Sequence, residues 1–128
     1  MSQDKCCCEI SHTTAGIVWV GCLQLLGHLL PDTQFAEILP EAVSNHHLLP
    51  IRIKKRDGAQ EILAKSGIET LIHYPVPIHL QECYKNLGFK RGDFPESEKL
   101  AREILSLPLY AELEDEEIKY ICEKIKKL

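Results

Sequence analysis

The sequence predicts an α/β protein of the α+β kind, a small and mostly antiparallel sheet covered by helices. Three observations predict it. The run HLLPIRI at 47–53 alternates its side chains as a half-buried strand does. Three later stretches space their apolar residues three and four apart, as helices do. Between them lie turn signals: KKRDG at 54–58, SG at 66–67 and FKRGDFP at 89–95.

In chain order, the first strand sets Leu48, Pro50 and Arg52 against Leu49, Ile51 and Ile53, and its proline predicts an edge position or the strand's beginning. Asp57 then caps a helix running to Lys65, with Ile62 and Leu63 turned inward and Ser66 and Gly67 as the stop. Residues 68–74 read as a second strand, ended by Pro75 and Pro77, which cannot donate to a ladder. A short helix over 79–87 carries Leu80, Cys83, Tyr84 and Leu87 on one face and closes at Gly88. Ser97 begins the next helix, with Leu100, Ala101, Ile104 and Leu105 as its apolar stripe, followed by the extended run SLPLY at 106–110. Asp115 opens the last helix. There Ile118, Ile121, Cys122, Ile125 and Leu128 make the stripe, with acids at the N-terminus and lysines at the C-terminus as the helix dipole favours.

The first part of the chain reads differently. Residues 15–30, AGIVWVGCLQLLGHLL, are almost wholly apolar. These sixteen residues fall short of the ~20 that cross a bilayer, and three glycines weaken them as a helix. A helix packed on the following domain is expected, with a membrane anchor aided by acylated Cys6, Cys7 and Cys8 as the alternative. The chain is accordingly divided into an apolar segment, 1–34, and a folded domain, 35–128.

Composition excludes several functions. With 27% charged and 45% hydrophobic residues the chain is an ordinary globular one. The net charge of −4 arises before residue 46, and fourteen basic residues balance fourteen acidic ones after it. Without a basic stripe there is no case for nucleic acid. Three of the six cysteines are consecutive, which suits neither a disulfide scaffold nor a zinc site, so no metal ligand is named and a reducing cytoplasm is expected. His46 and His47 are adjacent and would point to opposite faces of a strand, which argues against a shared role. The acids at 112–117 read as a helix N-terminus rather than an acid–base pair.

The motifs IHYPVPIHLQ (72–81), LGFKRGDFP (87–95) and LSLPLYAEL (105–113) stand in series, and ILPEAVSNHHLLPIRIKKRD (38–57) precedes them. In this order and spacing they resemble the C-terminal small domain of the DegT/DnrJ/StrS family of sugar aminotransferases, which have a fold-type I architecture. The resemblance implies transfer of an amino group from glutamate to a nucleotide-linked keto-sugar, with PLP as the electron sink. It also implies that the Schiff-base lysine and the phosphate cradle belong to a large domain that this sequence does not match. The chain then holds no cofactor and is inactive alone, or serves as a non-catalytic module binding a sugar nucleotide or a protein. By the same resemblance His73, Tyr74, Pro75, His79 and Gln81 are the candidate substrate-binding residues, forming one wall of the sugar-nucleotide cleft. The implied partners are a large aminotransferase domain, or a second copy through the apolar segment.

Overall fold

Three strands form one antiparallel sheet in the order β1 (Gln34–Phe35), β2 (Leu49–Arg52) and β3 (Ile104–Leu107) in the computed structural model, which describes residues 26–35, 41, 47–110 and 112–128. The helices are α1 (Arg56–Lys65), α2 (Pro95–Glu103) and α3 (Asp115–Ile125), and residues 26–29 are helical as well. The expected small antiparallel sheet with helices is therefore present.

Register explains which face is core. Leu49 pairs with Leu107 and Ile51 with Leu105, and all four are buried. Pro50 pairs with Ser106 and Arg52 with Ile104, so these side chains share the opposite face. Onto the first face pack Leu63 of α1 and the α3 stripe Ile118, Ile121, Cys122 and Ile125. Leu26 and Leu30 join the same cluster, with Leu29 against it. They lie before residue 35 in the sequence, yet are among the most buried side chains. Residues 15–25, Cys6 to Cys8 and His46 lie outside the described residues. Among the described residues no helix is long and apolar enough to cross a membrane.

Pro50 is the second residue of the middle strand, so of its two expected places the strand's beginning is the one found and the edge is not. Four local expectations change. Asp57 is not the cap of α1: Lys55 holds that position, and Asp57 in the first turn accepts from Arg56. Ile62 is half exposed, because the buried stripe runs through Arg56, Ala59 and Leu63. The strand at 68–74 shrinks to a single bridge between Leu71 and Ser106. Its backbone groups go elsewhere: Ile68 N–H donates to the Leu63 carbonyl at the end of α1, and the Thr70 carbonyl accepts from Gln60.

The fourth change concerns two helices. Residues 78–87 form 3₁₀ turns, Ile78–Leu80 and Glu82–Leu87, whose residues are exposed or half-buried as a whole, and Gly88 closes the second at φ 78°. Meanwhile α2 starts at Pro95 and stops at Glu103, so Ile104 and Leu105 extend β3 instead of a helical stripe. Tertiary bonds decide this. Arg52 donates to Glu103 at 2.6 and 3.1 Å, and Ile53 N–H donates to the Glu103 carbonyl at 2.8 Å, which lock the start of β3 beside β2.

Candidate functional site

The sheet face that carries Ser106 leads to the site. The Leu71–Ser106 bridge, with N–H to carbonyl bonds of 3.1 and 2.7 Å, lays the backbone at 71 along the free edge of β3. Two residues later His73 Nδ1 lies 3.0 Å from Ser106 Oγ. Ser106 is buried, so the imidazole is tethered to the sheet rather than to the mobile end of a side chain. Tyr74 meets His73 edge to face at 5.5 Å and is 70% exposed, leaving its phenol available.

From there Pro75 and Pro77 carry the chain into the first 3₁₀ turn, which delivers His79. Its Nε2 lies 3.1 Å from Glu98 Oε1, and both side chains are more than nine-tenths buried. Phe94 packs against the imidazole at a centroid distance of 4.8 Å with the rings tilted 55°, and Phe89 meets Phe94 edge to face at 5.3 Å. Glu98 also accepts the Gly92 N–H at 2.6 Å. That bond is the main cause holding the Glu98 carboxyl below the ordinary carboxylate range; burial opposes it, and His79 adds to the depression. Gln81 sits between the two 3₁₀ turns and donates to the Val76 carbonyl at 3.4 Å.

His73, Tyr74, His79 and Gln81 thus line one groove of about 650 Å³, together with Phe94 and apolar side chains. Pro75 shapes the loop but is not part of the lining. A few fixed polar groups in an apolar wall are what a small-molecule site needs for orientation. A second groove of about 810 Å³ shares His73 and carries Glu69, Tyr110, Glu116 and Glu117. Burial, then Glu117, pushes the Tyr110 phenol up. The larger groove holds only one of the five candidate residues, so the smaller is the candidate site. Among the described residues no group of three metal-ligating side chains comes together.

Sequence reasoning missed Glu98, Phe94 and Ser106. Glu98 reads as one more acid in the first turn of a helix, and no local signal marks it as buried. Ser106 sits inside a motif of the resemblance, but its bond to His73 spans 33 positions.

The model of the DegT/DnrJ/EryC1/StrS aminotransferase family matches residues 22–126. The chain is 48% identical over 79 residues to the "Pleiotropic regulatory protein" of Geobacillus stearothermophilus, covering 62% of this chain and 21% of that one. It is 37% identical over 81 residues to the dTDP-3-amino-3,6-dideoxy-alpha-D-galactopyranose transaminase of Aneurinibacillus thermoaerophilus, covering 63% and 22%. Among solved structures, S. venezuelae DesV in complex with a ketimine intermediate aligns at a TM-score of 0.75 and 30% identity, over 88% of this chain and 30% of that chain. The chain therefore spans between about a fifth and a third of the length of these relatives.

Proposed function

The chain belongs to the DegT/DnrJ/EryC1/StrS aminotransferase family, a family of PLP-dependent sugar aminotransferases, and from that premise we propose that it forms the small-domain wall of a nucleotide-sugar cleft. One observation carries the reading. Four of the residues that the family resemblance selects converge on a single groove, and its two histidines are held there by buried partners on α2 and β3. His73 and His79 supply imidazoles, Tyr74 a phenol and Gln81 an amide, all suited to sugar hydroxyls or phosphate oxygens. The exposed apolar rim, with Ile78 and Tyr74 each 70% exposed, suits the flat faces of a sugar and a base.

PLP, when bound, supplies the electron sink for amino transfer. The residues present do not fit it: among the described residues neither groove is lined by a lysine to hold the cofactor covalently. The catalytic lysine is assigned to a large domain, and this chain alone is expected to be inert. Mixing the purified chain with PLP tests this. No aldimine absorption band is expected, and a band lost on borohydride reduction would overturn it.

Binding is the direct test of the wall. Titrating dTDP-glucose or UDP-glucose into the full chain, followed by NMR, is expected to shift His73, Tyr74, His79 and Gln81 resonances before others. Shifts confined to the larger groove, or none at millimolar ligand, would remove the groove from the proposal. The same exposed rim favours a second reading, a non-catalytic module that holds a protein partner; co-elution with a separately expressed large domain in a complex that binds nucleotide sugar would select the cleft wall over it.

A further inference from the structure

We infer that Glu98 is a positioning residue: it holds His79 as the tautomer protonated at Nε2, so that Nδ1 is the imidazole atom offered to the groove. The inference deepens the proposed binding role and rests on it for the identity of the ligand, but not for the state of the ring.

An ionised Glu98 can only accept hydrogen bonds. Its carboxyl is held below the ordinary carboxylate range, so near neutral pH it is ionised and accepts only. Its Oε1 receives the Gly92 N–H at 2.6 Å and lies 3.1 Å from His79 Nε2. A contact between two acceptors would be repulsive in this buried setting, so Nε2 must carry the hydrogen. A neutral imidazole protonated at Nε2 has its lone pair on Nδ1.

Among the described residues the only side-chain polar atom that is both buried and without a partner is Thr70 Oγ1. Nδ1 of His79 makes no hydrogen bond and is not such an atom, so it reaches solvent, and His79 belongs to the groove lining. Phe94, tilted against the ring and itself braced by Phe89, limits how the plane holding that lone pair can turn. Glu98 is in turn fixed by α2 and by the loop at Gly92, whose φ of 97° aims its N–H at the carboxylate. While the ring is neutral the groove therefore presents a preset acceptor at Nδ1, complementary to a hydroxyl donor of a sugar ring.

The test reads the ring without any ligand. Long-range ¹H–¹⁵N correlation on the full chain above pH 8 gives the His79 nitrogen shifts directly. A pyrrole-type Nε2 and a pyridine-type Nδ1 are expected; the reverse assignment, or equal shifts at the two nitrogens, overturns the inference. In Glu98→Gln the amide oxygen can still accept both bonds, so the same tautomer is expected to persist. In Glu98→Leu it is expected to move toward an even mixture, with the remaining histidine signals unchanged. If Glu98 served only to tie down the loop, Glu98→Leu would melt earlier and leave the His79 tautomer as it was. Binding of dTDP-glucose is then compared. A loss of about tenfold in Glu98→Leu with near wild-type affinity in Glu98→Gln is expected. Failure of the wild type to bind dTDP-glucose would count against the proposed cleft and leave the tautomer result standing.

Discussion

A single carboxylate links three parts of the candidate site, and its titration is measurable. The folded-state pKa of Glu98 lies below its unfolded value, so its contribution to stability is complete above the unfolded pKa, about 4.3, and is lost as pH falls through the folded one. Urea unfolding between pH 3 and 6 should therefore give a steeper acid loss for the wild type than for Glu98→Gln. Equal slopes would mean that Gly92 and His79 do not hold the charge. Glu103, depressed chiefly by Arg52, remains in both proteins and cancels in the comparison. Ser106→Ala removes the bond to His73 at an expected cost of about 1 kcal/mol, with looser His73 orientation and weaker dTDP-glucose binding. Unchanged binding would make the Ser106 tether irrelevant to the groove. At this scale the motif residues were legible, whereas their buried partners were not, because a partner 19 or 33 positions away leaves no periodic trace.

Elements differ in how far local pattern decided them. The last helix was nearly complete in the sequence: its four buried residues recur at three- and four-residue spacing, and acids fill its first turn. The cap itself is Glu114, one residue before Asp115, in a reciprocal capping box with Glu117. Glu114→Ala is expected to destabilise by about 1 kcal/mol, read as a lower chemical midpoint at unchanged m-value. Along α1 the neighbours Ile62 and Leu63 separate sharply, at 50% and 0% exposed. Leu63→Ala should cost about 2 to 5 kcal/mol, and Ile62→Ala no more than about 0.5. Similar losses at both would return Ile62 to the core, where periodicity had placed it.

At the scale of the molecule, the core is shared between the sheet, α1, α3 and residues 26–30. Leu26 and Leu30 are 2% and 3% exposed, and burying one leucine stabilises by about 1.5 to 3 kcal/mol. Deleting residues 1–34 takes both away together with Gln34, which pairs with Arg52. The shortened chain is expected to melt at a markedly lower temperature and with a broader transition. A truncated chain that melts sharply at the wild-type temperature would mean that these leucines are dispensable. This outcome also locates the boundary of the folded domain, which the sequence pattern and the family resemblance put at residue 35.

By itself the sequence determined what depends on neighbours along the chain: the core face of β2, the helices around 60, 100 and 120, the glycine stop at Gly67, and the motif series that places the chain in its family. Only the tertiary structure decided where backbone groups were contested. The segment LAREIL at 100–105 satisfies helical spacing and strand pairing equally well locally, and the Arg52–Glu103 pair with the β2 ladder settled it as helix to Glu103 and strand thereafter. Residues 68–74 could have formed a strand, but Ile68 and Thr70 found partners in α1. The groove follows the same rule: its visible residues come from one motif, while the carboxylate, phenyl ring and hydroxyl that hold them come from other turns of the chain, brought there by tertiary contacts and not by sequence spacing.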